Sequence, residues 1–125
     1  MGKTWLLIGS IMGFLSVAGG AFGAHALKAR VSTEMIEVFT TGTRYLMLHA
    51  VALLAVGLLA DRMASTSLSV AGWTFTVGTL IFTGSLWLLA GTGTRWLGAI
   101  TPIGGLTLLV GWAALAMAVA KAGPA

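Results

Sequence analysis

The chain has 125 residues, of which 58% are hydrophobic and only 8% are charged, whereas an ordinary soluble domain has roughly 25% charged residues. This composition excludes a water-soluble globule, and the absence of cysteine excludes disulfides and thiolate metal sites. The net charge of +4 does not indicate a nucleic-acid surface, because the cations are scattered between apolar stretches instead of clustering together.

The charged residues leave four long uncharged intervals, at 4–27, 45–60, 63–94 and 96–120. A helix needs about 20 apolar residues to cross the ~30 Å hydrocarbon core of a bilayer. We therefore predict an all-α polytopic membrane protein, a bundle of four transmembrane helices that uses residues 1–125 as a single domain. The numbers of Lys and Arg expected on the two membrane sides differ by only one, so the sequence sets no orientation.

The first transmembrane helix is predicted over about residues 4–24. Its start imitates a signal peptide, but the apolar interval is long enough to span, and we expect a retained helix. Small residues recur along one face, and they allow close approach of a neighbouring helix in lipid. We expect this face to pack within the bundle, and its main packing residues are Gly9, Gly13, Gly20 and Gly23.

Residues 32–44 are predicted to form an amphipathic helix that lies at the membrane interface between the first two spans. Ser32 is expected to cap its N-terminus, and Glu34 and Glu37 fall in the early turns, where the helix dipole favours anions. Because no proline or other strong break precedes Tyr45, a direct continuation into the second span is the alternative.

The remaining spans are predicted over about 45–60, 68–90 and 101–120. A Gly-Thr-Gly-Thr break at 91–94 ends the third span. Thr101 as N-cap and Pro102 at the first helical position favour the start of the fourth span, and Gly123-Pro124 is expected to end it.

One polar cluster stands out, centred on His49, because an ionisable residue within a span is a candidate for function. We predict that His25, Arg44, Tyr45 and His49 meet at one depth, with Glu37 in the same polar region. The functional interpretations are a proton relay, an anion site or a pair of axial haem ligands. We favour a hydrogen-bonded cluster that holds the interfacial helix on the bundle, since buried polar groups in lipid must be satisfied whatever the function.

Enzymatic signatures do not occur in the sequence. No carboxylate falls within a predicted span, which argues against a paired acid–base site, and no Gly-rich phosphate loop is found. We therefore expect no enzymatic activity, no catalytic residue, no metal site and no cofactor.

Four stretches carry a family resemblance, in order along the chain: Gly20–Leu27, Arg44-Tyr45 with His49-Ala50, Phe82–Leu86, and Ile100–Gly105 with Gly111-Trp112. They resemble the domain-of-unknown-function 423 family of small YgdD-like inner-membrane proteins. The resemblance implies a multi-pass, four-helix protein of the bacterial cytoplasmic (inner) membrane, and it implies no activity. Both histidines and Arg44 fall within the matching stretches.

Two other four-helix families fit less well. Resemblance to small multidrug exporters requires a membrane-embedded glutamate in the first helix, which has none. Residues 19–24 loosely resemble the first helix of dual-topology fluoride channels, but the third helix is a poor match to their Phe-rich motif.

The expected function is that of a structural or accessory membrane component. Its expected partners are membrane lipids and a second copy or a larger membrane complex, with no nucleic acid. One alternative is a small anion or proton transporter or channel that uses the histidine cluster, and another is a haem or lipid binder.

Overall fold

The computed structural model describes residues 1–123, which form four long helices. These are α1 (Gly2–His25), α2 (Thr33–Ala60), α3 (Thr66–Thr92) and α4 (Thr101–Lys121), and short 3-10 helices at Leu27–Ala29 and Arg95–Ala99 lie in two of the connections. All four long helices have the length and apolar composition to cross a membrane, which confirms the predicted all-α polytopic fold. Pro124, part of the predicted end signal of α4, lies outside the described residues.

The helix ends show which cap signals operate. The Ser32 hydroxyl accepts a hydrogen bond from the backbone N–H of Met35 at 3.2 Å, so the predicted cap of α2 is confirmed. The predicted cap of α4 is corrected, because the N-cap is Ile100. The Thr101 hydroxyl instead lies 2.6 Å from the Ser85 hydroxyl of α3, and this bond ties the start of α4 to its neighbour.

Residues 33–60 form one uninterrupted helix of 28 residues, about 42 Å long. This corrects the prediction of a separate interfacial helix over 32–44 and of a second span that starts at residue 45. The segment contains no helix breaker, and its inward face is packed, with Met35, Phe39 and Gly42 buried. Packing along the bundle therefore makes this segment the first part of α2.

Consecutive helices pack on each other, α1 on α2, α2 on α3 and α3 on α4. Two indole rings also bridge α1 and α3 at opposite ends. The fully buried Trp5 covers Gly72, and Trp87 covers Gly19. Between these rings lies an apolar groove of about 350 Å³ between α1 and α3.

Close backbone approaches fix the antiparallel register of α1 and α2. A methyl group added at Gly2 would lie 2.8 Å from the carbonyl oxygen of Gly57, and one at Gly9 would lie 2.9 Å from that of Ala50. Further along, Gly23 lies against the ring of Phe39. The C-terminal end of α1 is therefore level with the first turns of α2.

Hydroxyl groups on α3 differ in whether they have a partner. The Thr83 hydroxyl donates to the carbonyl oxygen of Gly42 on α2 at 2.8 Å. The Thr79 side chain is only 1% exposed and lines the α1–α3 groove, and its hydroxyl has no hydrogen-bond partner within residues 1–123. A buried hydroxyl without a partner costs free energy, whereas a paired one contributes.

Replacing Thr79 by valine is expected to leave the free energy of unfolding unchanged or to raise it by up to about 1 kcal/mol, because valine has a similar shape and no hydroxyl to satisfy. Thr83→Val is the matched control, with an expected loss of about 1 kcal/mol through the Gly42 bond. Reversible unfolding in mixed micelles, followed by circular dichroism, measures both. A larger loss from Thr79→Val than from Thr83→Val would contradict the assignment.

Candidate functional site

His49 lies in the interior of the bundle, with its side chain 2% exposed. It lies three turns before the end of α2, and its partner Trp112 lies three turns into α4. Each helix rises about 5.4 Å per turn, so three turns correspond to about 16 Å, half the thickness of the hydrocarbon core. The pair is therefore close to the middle of the membrane.

Both ring nitrogens of His49 are hydrogen-bonded. The indole Nε1–H of Trp112 donates to Nε2 at 3.0 Å, and Nδ1 lies 2.7 Å from the carbonyl oxygen of Tyr45. An indole N–H only donates and a carbonyl only accepts, so Nε2 is the acceptor and Nδ1 carries the proton. The two bonds thus select the neutral ring with its proton on Nδ1.

Aromatic rings surround this pair. The ring centroid of Phe75 lies 5.5 Å from that of His49 and 4.9 Å from that of Trp112. On the other side, Tyr45 stacks on Phe82 with centroids 4.2 Å apart. Stacked and edge-on ring pairs at these distances stabilise the fold beyond the contribution of apolar burial. They also hold the imidazole and the indole in place.

A groove of about 510 Å³ between α2 and α4 reaches His49. Its polar side chains belong to Tyr45, His49 and Trp112, and the other lining residues are apolar or small. No charged residue is among them. The groove therefore resembles a lipid-accessible cleft more than a water-filled path.

The predicted polar cluster is not assembled as expected. Tyr45 and His49 are in contact through the Tyr45 carbonyl, but His25, Glu37 and Arg44 are exposed. Since Gly23 lies against Phe39, His25 is level with Glu37, more than three turns and about 18 Å along the axis from His49. The prediction of one common depth is corrected, and the two histidines do not form a pair of ligands to one haem iron.

The partner of His49 was not predicted. Trp112 appeared in the sequence only within a family-like Gly-Trp pair, and no role followed from it. A second polar contact of this kind joins the Trp87 indole N–H to the Thr43 hydroxyl at 3.1 Å. An indole N–H within a membrane span needs a hydrogen-bond partner, and this need is a sequence signal for such bonds that does not identify the partner.

The predicted packing glycines divide into two groups. Gly9 and Gly23 lie against α2, where an added methyl group would approach the Ala50 carbonyl oxygen and the Phe39 ring to 2.9 Å. Gly13 has no neighbouring atom within 4 Å of such a methyl group, and Gly20 has only a Thr43 methyl at 3.9 Å. Packing within the bundle is therefore confirmed for Gly9 and Gly23 and corrected for Gly13, whereas Gly20 lies beside α2 without a close approach.

Comparison with known proteins identifies the family. Residues 19–105, which include His25 and His49, match the profile of a family described as "Protein of unknown function (DUF423)". The chain belongs to the DUF423 family. The family resemblance inferred from the four sequence stretches is thereby confirmed. The match to the DUF423 profile ends at residue 105, so the Gly111-Trp112 pair lies outside it.

Curated relatives match the chain over nearly its whole length. UPF0382 membrane protein YwdK of Bacillus subtilis is 38% identical over 120 residues, which covers 95% of this chain and 98% of that protein. UPF0382 membrane protein SERP0230 of Staphylococcus epidermidis is 40% identical over 119 residues, covering 95% and 97%. No solved structure matches the chain. The names of these relatives and the four spans together show that the DUF423 chain is a multi-pass bacterial membrane protein.

Proposed function

We propose that this protein is a non-enzymatic accessory component of the membrane, which associates with a second copy of itself through the flank of α1 that carries Gly13, Val17 and Gly20. The observation that carries the proposal is the state of His49, the ionisable residue at mid-depth. Both its nitrogens are occupied by Trp112 and Tyr45. A ring held in this way acts as a tie between α2 and α4 instead of as a base or a ligand.

The same arrangement weighs against a transporter. A proton or anion site needs a titratable or cationic group that faces a water-filled path. The groove beside His49 has no charged lining residue, and the exposed His25 is about 18 Å away along the axis. A reconstituted flux of protons or halides above that of empty liposomes, abolished by His49→Ala, would overturn the accessory role in favour of transport.

The flank of α1 that carries Gly13, Val17 and Gly20 supports self-association. Gly13 and Gly20 are two turns apart on this flank, and an added methyl group would meet no atom closer than 3.9 Å at either position. Val17 lies between them and is 67% exposed. Glycine lowers helix stability by about 1 kcal/mol relative to alanine in water, and small residues spaced along a membrane helix allow another backbone to approach.

Replacing both Gly13 and Gly20 by leucine is expected to raise the dissociation constant of the self-associated form by about tenfold or more, because the leucines keep the second copy away. Native mass spectrometry in mild detergent measures the distribution of oligomers. Gly91→Leu is the matched control, since Gly91 is exposed on α3 and an added methyl group there meets no atom within 4 Å. A strictly monomeric wild type with no crosslinked partner would refute self-association.

A further inference from the structure

Arg44 has an unusual position for a charged residue in a membrane protein. It lies on the exposed side of α2, five residues before the mid-membrane His49, which places its Cα about 7.5 Å along the axis from that level. Half the hydrocarbon core measures about 15 Å. The Cα of Arg44 is therefore well inside the hydrocarbon, and its long side chain must snorkel towards the headgroups.

Within residues 1–123, Arg44 has neither an ion pair nor a hydrogen bond from its side chain. Arg95 differs, because its guanidinium pairs with the Glu34 carboxylate at 3.1 Å. Glu37 lies two turns before Arg44 on the same face of α2, but it forms no ion pair with it. A cation at membrane depth carries a high cost unless an anion or water meets it.

The groove between α2 and α4 lies on the mid-membrane side of Arg44. Leu48, which follows Arg44 on the same helix face, lines this groove together with Tyr45, Leu106 and Leu109. The Tyr45 ring is 40% exposed at the rim, and its hydroxyl forms no hydrogen bond with the described part of the chain. Arg44 itself does not line the apolar cleft of about 510 Å³, but it lies one helical turn from the lining residue Leu48, on the headgroup side of the cleft.

We propose that Arg44 and this groove form a binding site for one phospholipid, with the phosphate diester on the Arg44 guanidinium and an acyl chain in the α2–α4 groove. The guanidinium offers two parallel N–H donors to phosphate oxygens, and the Tyr45 hydroxyl supplies a third donor at the rim. The depth of Arg44 selects a lipid over soluble phosphate, because only a lipid brings its phosphate to this boundary together with a chain that fills the cleft. The site is independent of the flank of α1 that carries Gly13, Val17 and Gly20.

Native mass spectrometry of the full chain with added dioleoylphosphatidylglycerol tests the site by the fraction of protein that retains a lipid. Arg44→Gln is expected to lower this fraction by about tenfold, the effect of losing a charge-assisted hydrogen bond, and Arg44→Lys to lower it less. Arg62→Gln is the matched control, because it removes an exposed positive charge from the α2–α3 connection at the other end of α2. The control is expected to stay within about twofold of wild type.

A second variant tests the groove with Arg44 intact. Gly105 lines the cleft, and an added methyl group there meets only Phe82 ring carbons at 3.8 and 3.9 Å. Gly105→Leu is therefore expected to fold, to fill the cleft and to lower lipid retention by about tenfold, like Arg44→Gln. Equal retention in Arg44→Gln and Arg62→Gln, or unchanged retention in Gly105→Leu, would overturn the site.

Discussion

Replacing Gly104 by alanine is expected to lower the free energy of unfolding by about 3 kcal/mol, at the upper end of the cost of overpacking a well-packed interior. The added methyl group would lie 2.6 Å from the backbone nitrogen of Phe82 and 2.9 Å from the carbonyl oxygen of Gly78. Backbone atoms of a helix do not move aside as a flexible side chain does. The methyl group therefore has to push α4 away from α3, the helix on which α4 chiefly packs.

The neighbouring residue provides the control for this prediction. An alanine at Gly105 makes only ordinary contacts with the Phe82 ring, and it removes the helix penalty of glycine. Gly105→Ala is expected to be neutral or slightly stabilising in reversible unfolding in mixed micelles, measured by far-ultraviolet circular dichroism. Similar losses from the two variants would show that the α3–α4 contact does not depend on backbone approach at Gly104.

The spans were predictable from charge alone, because lipid excludes charges from the greater part of each helix. The uncharged intervals therefore predict the number and order of the helices. They misplaced the start of α2, since Glu34, Glu37 and Arg44 made residues 32–44 look unlike a span. In the structure these charges lie on the exposed side of a continuous helix whose opposite face is packed.

The predicted start of α2 also determines the predicted depth of His49 and its distance from His25. With a second span that began at Tyr45, His49 stood one turn inside the membrane and close to His25. With α2 starting at Thr33, His49 is at mid-depth and His25 is at the end of α1. His49 is thus identifiable from the sequence as a polar residue within a span, but its surroundings depend on a helix boundary that the charge pattern obscures.

The pairing of His49 with Trp112 was not predictable for a different reason. The two residues are 63 positions apart, and their meeting depends on the register of α4 against α3 and of α3 against α2. Close approaches at Gly78 and Gly104 set part of that register. Glycine spacing indicates that a helix face can pack closely, but it does not tell which helix that face meets, and an added methyl group at Gly13 has no neighbour within 4 Å.

His49→Ala is expected to lower the free energy of unfolding by about 3 kcal/mol, because it leaves a cavity and an unpaired Trp112 N–H in the membrane interior. Trp112→Phe removes the donor and keeps an aromatic ring, so its expected loss is about 1 kcal/mol. The double variant completes a cycle in which the two losses are smaller together than their separate sum by about 1 kcal/mol. Reversible unfolding in mixed micelles measures all three variants.

Tyr45→Phe is the control within the same site. His49 bonds to the backbone carbonyl of Tyr45 and not to its hydroxyl, so removing the hydroxyl is expected to leave the stability of the detergent-solubilised protein unchanged. Additive losses from His49→Ala and Trp112→Phe would argue that the bond between α2 and α4 contributes nothing. A measured coupling would instead make His49 a structural tie, because a neutral imidazole that accepts from Trp112 through Nε2 has no lone pair left there for a proton or a metal.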